Sequence, residues 1–205
     1  MSSKDNRQYR SFAASNFAAV DDAERHPYTV RGYFTTFEDP YTLWTDSDGT
    51  ERKEVIDRDA FAGCDLSDVI FQFDHHGMVF ARQRNKTLEV GFDDHGGWCQ
   101  ARLDGCQQGR DLYEAITNGL IDRMSFGFTI ADFDYDRDTH TSRIMRIDKL
   151  YDVSAVSIPA NPDTEISARS YLNGVIEAAK QELLESDRER RARLAAALEL
   201  AGLRN

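Results

Sequence analysis

Three short stretches of this 205-residue chain carry side chains able to do acyl-transfer chemistry, and they lie far apart in sequence. In Arg123-Met124-Ser125-Phe126-Gly127-Phe128, a serine stands between bulky apolar residues with a glycine close behind it. That pattern reads as an exposed nucleophile on a sharp backbone turn. A serine hydroxyl needs a base, and Phe71-Gln72-Phe73-Asp74-His75-His76 ends an alternating apolar run with two imidazoles, where a strand stops and a cleft opens. Tyr151-Asp152-Val153-Ser154-Ala155-Val156 adds an acid at the start of a strand that reads as buried. The chain order His, Ser, Asp is compatible with a nucleophilic triad, but triads are recognised by geometry and not by order. On side-chain chemistry alone, a buried serine bonded to backbone is the simpler reading of Ser125. A histidine at a strand end is likewise more often a surface residue, and His75 and His76 stand as alternative bases.

Metal chemistry is a separate reading of the same region. Asp74, His75, His76 and His95 are metal-ligand types, but adjacent histidines on a strand point to opposite faces and rarely hold one ion together. Asp46-Ser47-Asp48-Gly49 has carboxylates at calcium-loop spacing and lacks the remaining ligands of such a loop, so it reads as a turn. Neither a metal nor another cofactor is expected.

The elements that would hold these residues are mostly short strands. Residues 1–27 read as a loose arm or propeptide, with a brief helix near Ser11-Phe12-Ala13-Ala14. Residues 28–37 alternate as a first strand, and Thr42-Leu43-Trp44-Thr45 follows as a second, shorter one. Asp57 is placed to cap a short helix that includes Ala60 and Phe61. Strands over 69–73, 79–82, 88–92 and 98–103, separated by turn-rich segments, fit an antiparallel sheet curling into a barrel. The period changes over 109–118, where Leu112, Tyr113, Ala115 and Ile116 share a helical face and Gly119 supplies a stop. Residues 128–135 and 143–150 then alternate as a hairpin that returns Asp152 beside the serine strand. Beyond residue 167, Ala, Leu, Glu and Arg dominate without proline, and Leu172, Val175, Ile176, Ala179 and Leu183 line up as a helical stripe. Such a stripe suits packing on its own domain or in a homodimer or higher oligomer.

Composition bounds the class. With 40% hydrophobic and 30% charged residues, the chain reads as a globular protein with a charged surface. A formal charge of −11 disfavours nonspecific attraction to nucleic-acid phosphates. No apolar run approaches the ~18 residues of a membrane span, and the N-terminus lacks a signal-peptide core. Cys64, Cys99 and Cys106 are too irregularly spaced for a disulfide framework or a structural zinc site.

Taken together, residues 29–168 resemble the caudoviral prohead protease family, the serine peptidases that mature phage capsids. The resemblance is carried by Val30-Arg31-Gly32-Tyr33-Phe34, by Glu54 through Phe61, by His75, by Ser125-Phe126-Gly127-Phe128, and by Asp152-Val153-Ser154 through Pro159-Ala160-Asn161-Pro162. It departs from the family at Ala81-Arg82, where Gly-Arg is usual, and at Asp152, where Glu is commoner. The resemblance implies an α+β fold similar to herpesvirus maturational proteases: a small, mostly antiparallel β-barrel ringed by helices, here with a C-terminal helical extension. It divides the chain into an arm (1–27), a protease domain (28–168) and the extension (169–205). It further implies a serine endopeptidase in which Ser125 attacks, His75 is general base and Asp152 orients it; Arg82 is a candidate electrostatic helper, with a surface residue as the simpler reading. The implied partners are capsid and scaffold proteins, with self-cleavage. The implied place is the assembling prohead in the host cytoplasm, or a bacterial cytoplasm for a prophage-encoded copy. The competing role is a catalytically inactive assembly or scaffold protein of the same fold.

Overall fold

The computed structural model describes residues 7–13, 17–20 and 26–157, together with Glu185, Arg188, Arg190 and Arg193. The chain divides into two compact units, 1–168 and 169–205. In the second unit, the four described residues are helical and exposed. The apolar stripe from Leu172 onward and the Pro-Ala-Asn-Pro motif lie outside the described residues.

In the first unit the described elements run β1 (Gln8–Ala13), β2 (Ala18–Ala19), β3 (Thr29–Thr36), β4 (Tyr41–Thr45), β5 (Glu51–Ile56), β6 (Ile70–Phe73) and β7 (His76–Arg82). They continue as β8 (Leu88–Phe92), β9 (Gly96–Arg102), α1 (Gln107–Thr117), β10 (Arg123–Asp136) and β11 (Thr141–Val156). They build two sheets. The larger has seven strands in the order β1-β10-β11-β5-β4, with β6 also pairing with β11 and β7 with β6. The smaller has the order β2-β3-β9-β8.

The expected helix-ringed α+β barrel is therefore corrected. The sheets remain two open layers, and α1 is the one α-helix among the described residues of this unit. The reason lies in the strand ends. β1, β4, β2 and β8 terminate the two sheet orders without pairing to one another, so no ladder closes the ring. The brief helix expected near Ser11 is also absent: residues 8–13 pair antiparallel with β10 as a strand. No helix caps at Asp57 either. Its carboxylate accepts from Asp59 N at 3.0 Å, and its carbonyl from Ala60 N, in a turn.

One hydrophobic cluster joins the two layers. Phe34 of β3 lies 5.5 Å from Phe126 of β10, measured between ring centroids, and both are fully buried. Phe61 stacks on Phe92 at 4.6 Å, and Phe126 on Phe128 at 4.5 Å. Such ring pairs add to the area term that holds sheet on sheet.

The centre of the larger sheet is the β10–β11 hairpin, which runs from Arg123↔Val156 to Asp136↔Thr141. β11 pairs in parallel with β5 at one end and in parallel with β6 at the other. At that second end four neighbours therefore lie side by side: β6, β11, β10 and β1. None of the described helices is long and apolar enough to cross a membrane.

Candidate active site

Strand alternation decides which residues meet at this end of the sheet. On β10, Met124, Phe126 and Phe128 enter the core cluster, so Ser125 and Gly127 take the opposite face. On β11, Val153 and Ala155 enter the core, so Asp152 and Ser154 share the face of Ser125. The register sets Ser125 beside Ser154 and Gly127 beside Asp152. Ser125 is thus a buried residue inside a strand, not an exposed residue on a turn, because the apolar neighbours that made it conspicuous are core anchors of a regular ladder.

His75 comes from the neighbouring hairpin. Phe73 pairs with His76, leaving Asp74 and His75 as a two-residue loop with φ of 49° and 59°. Positive φ at both central positions is the signature of a type I′ turn, in which the second position is usually glycine. A histidine there carries backbone strain of the kind that persists only when surrounding contacts hold it. Those contacts are present. Asp74 N donates to Ala155 O at 2.9 Å, and the Asp74 carboxylate accepts from the Ser157 amide and hydroxyl, each at 2.9 Å. The turn is thereby pinned to the end of β11.

From that turn the imidazole reaches over the sheet. His75 Nδ1 lies 2.5 Å from Asp152 Oδ1, and Nε2 lies 2.5 Å from Ser125 Oγ. Both acceptor and donor geometries are those of a hydroxyl–imidazole–carboxylate chain. Asp152 is nearly fully buried, and Ser154 Oγ donates to its Oδ1 at 2.9 Å. Ser154 carries no role in the sequence pattern alone. The Asp-x-Ser spacing, which puts both side chains on one strand face, was the available signal.

Gly127 makes room for the carboxylate. A Cβ at this position would lie 2.4 Å from Asp152 Oδ2 and 2.8 Å from Tyr9 Cε1. The glycine of the Ser-x-Gly pattern therefore serves close approach across the strand pair, and not flexibility next to the serine.

Strand β1 closes the other side, and its contribution was not legible beforehand. Tyr9 tilts against His75 with ring centroids 4.4 Å apart. Ser125 Oγ also lies 2.8 Å from Arg10 O, which competes with His75 Nε2 for the single hydroxyl proton. The Arg10 side chain runs to the Glu54 carboxylate, Nε to Oε1 at 2.6 Å and Nη2 to Oε2 at 2.9 Å, with both side chains buried. Tyr41 OH donates to Glu54 Oε1 as well. Burial works to lower the Arg10 pKa, and the Glu54 carboxylate more than offsets this, so the guanidinium stays charged. Burial, then the charge of Glu54, pushes the Tyr41 phenol well above its ordinary value, so it remains a donor.

The other predicted candidates lie elsewhere. His76 is exposed, with Nδ1 against Asp74 O, and His95 is exposed beside Tyr33 at 4.5 Å between centroids. Asp74 is held by Ser157, so Asp74, His75, His76 and His95 are not brought together. Among the described residues, no group of three or more His, Cys, Asp or Glu side chains is arranged to hold a metal ion. Arg82 pairs with Asp68 through Nε at 2.6 Å and does not join the chain of bonds at Ser125. Cys99 and Cys64 are inert candidates: burial raises both thiols, Cys64 to about 11.

Comparison with known proteins meets this geometry from another direction. A stretch of 63 residues, 31% of this chain, is 33% identical to the prohead protease of Escherichia phage T5. That stretch spans 30% of the T5 protein's length. No solved structure matches the chain. The profile of the caudovirus prohead serine proteases matches residues 16–176, which take in every strand from β2 to β11 and all three members of the Asp152–His75–Ser125 chain. On that match over most of its length, the chain belongs to the caudovirus prohead serine protease family.

Proposed function

We propose that this protein is a serine endopeptidase that cleaves scaffold or capsid-protein segments during phage head maturation, and also cleaves itself. The observation that carries this reading is the unbroken hydrogen-bond chain from Asp152 through His75 to Ser125. In the proposed reaction Ser125 Oγ attacks the scissile carbonyl carbon while its proton passes to His75 Nε2. Collapse of the tetrahedral intermediate breaks the C–N bond, and the His75 proton leaves with the amine. Water then gives a proton to His75 and attacks the acyl carbon, which releases the new carboxyl group and returns the proton to Ser125. Asp152, steadied by Ser154, keeps Nδ1 protonated and faces the imidazolium as it forms.

Substrates confined in an assembling head reach high effective concentration without tight binding. A weak isolated enzyme is therefore the expected form. The working place is the prohead interior in the host cytoplasm, with capsid and scaffold proteins as partners. The C-terminal tract is the proposed contact for self-association.

Co-expression with the capsid and scaffold proteins tests the reading. Wild-type chain should shorten its partners and itself on denaturing gels and by intact mass, whereas Ser125→Ala and His75→Ala should leave all chains full length. Processing that persists in Ser125→Ala would refute the assignment. Absence of processing in the wild type as well would favour the inactive assembly role.

A further inference from the structure

Ser125 has no solvent exposure while β1 lies along β10, and Tyr9 of the same strand sits against His75. A peptide cannot reach the hydroxyl with β1 in this position. Among the described strands β1 is nevertheless an edge strand, paired with β10 alone, and its slot is one that any extended peptide could fill by main-chain hydrogen bonding. In that slot Ser11 is the register partner of Ser125, and the backbone carbonyl that meets the nucleophile is that of the residue before it, Arg10, whose oxygen lies 2.8 Å from Ser125 Oγ. There the hydroxyl meets a carbonyl oxygen that competes with His75 Nε2 for its proton and offers no carbon to attack, so the occupant holds the site idle.

The side chain of Arg10 adds a chemical preference. It enters a buried acidic pocket formed by Glu54 and Tyr41, with the Phe128 ring 5.5 Å away. A bidentate guanidinium–carboxylate fork selects arginine over lysine or a neutral side chain. A buried ion pair is also weak evidence for a purely stabilising role, since apolar residues of similar volume often fill such a space as well or better.

We propose that the slot filled by residues 8–13 is the substrate site, and that the Glu54–Tyr41 pocket binds an arginine side chain on the residue that supplies the scissile carbonyl. β1 is then an intramolecular competitor, displaced when an arginine-bearing peptide adds to the edge of β10. This rests on Ser125 being the nucleophile.

The test uses the full chain and three serine-directed probes: a small fluorophosphonate, and two peptidyl diphenyl phosphonates that differ only in arginine or norleucine at the residue next to the phosphorus. Attachment is mapped to Ser125 by mass spectrometry. The expected result is labelling by the arginine probe at least ~10-fold faster than by the norleucine probe, slowed by added Gln-Tyr-Arg-Ser-Phe-Ala peptide but not by its Arg→Gln form. Glu54→Gln should erase the preference, and Arg10→Gln should speed fluorophosphonate labelling by ~10-fold or more. Labelling at Ser125 with equal rates for the two phosphonates overturns the arginine site and leaves the nucleophile reading intact. A folded Arg10→Gln chain that labels no faster overturns the displacement of β1. If either variant does not fold, the wild-type rate ratio and peptide competition decide alone, and no reaction with the arginine probe counts against the proposal. No labelling by any probe, in wild type and in folded Arg10→Gln, instead refutes the nucleophile reading.

Discussion

Gly127→Ala is the sharpest perturbation of the site, because it adds one methyl group and removes no polar atom. The new Cβ would stand 2.4 Å from Asp152 Oδ2. An ordinary carbon–oxygen contact is ~3.3–3.6 Å, so the carboxylate must retreat by roughly 1 Å. That stretches the 2.5 Å contact with His75 Nδ1 to a distance at which little hydrogen bonding remains. A misplacement of ~1 Å at a catalytic group costs ~10²-fold in rate, and full loss of the orienting acid ~10⁴-fold in the well-studied triads. Gly127→Ala should therefore lower kcat/KM by ~10²- to 10⁴-fold, with an overpacking cost of ~1–3 kcal/mol in stability. Initial rates on a quenched fluorescent peptide, with thermal melts as the folding control, read both effects. Asp152→Asn completes a double-mutant cycle: once the carboxylate's role is gone, adding Gly127→Ala should cost no more than ~3-fold further. A folded Gly127→Ala chain with half of the wild-type rate, or an equal loss in both backgrounds, would refute the claim that this glycine acts by admitting the carboxylate.

Three other outcomes follow from geometry. His75 holds a φ of 59°, which costs a non-glycine residue about 1–2 kcal/mol, so His75→Gly should melt above His75→Ala; the reverse order would argue against a strained turn. Phe34→Ala, which empties a fully buried ring site facing Phe61, Phe92 and Phe126, should lower unfolding free energy by ~3–5 kcal/mol in urea titrations. Hydrogen bonds from Arg143, Lys149 and Arg82 hold the carboxyls of Glu38, Asp65 and Asp68, respectively, below their ordinary range. Carboxyls depressed in the folded state contribute stability above their unfolded pKa of ~4 and lose it as pH falls through the folded value, so melting temperatures should stay level from pH 7 to ~5 and decline below ~4. A decline that began near neutral pH would show that some other group controls acid stability.

The strand content was legible because β8, β9 and the β10–β11 hairpin alternate cleanly, and the α1 face was legible because Leu112 and Ile116 recur at helical spacing. The closure of the sheets was not legible. Alternation assigns residues to faces, but it says nothing of whether β1 or β4 finds a partner at its free edge. The segment around Ser11, expected as part of a loose arm with a brief helix, is a strand through pairing with β10, a tertiary effect that outweighs local propensity. At the site, His75, Ser125 and Asp152 were visible as chemistry. Arg10 and Glu54, 44 positions apart, gave no local signal that they would meet. The turn at Asp74-His75 was hidden for a different reason, since its second residue is not the glycine that a type I′ loop normally advertises.

Two of the three polar groups in the hydrogen-bond chain ride on one ribbon, with Gly127 opposite Asp152 and Ser125 opposite Ser154, while the third arrives on a two-residue loop of a short neighbouring hairpin. Hydroxyl and carboxylate cannot part unless the middle of the sheet unzips, yet the imidazole can be withdrawn by fraying one small loop. Mild heat or denaturant should therefore disarm the molecule while its spectroscopic fold is still intact, and cooling should rearm it without any refolding of the ribbon.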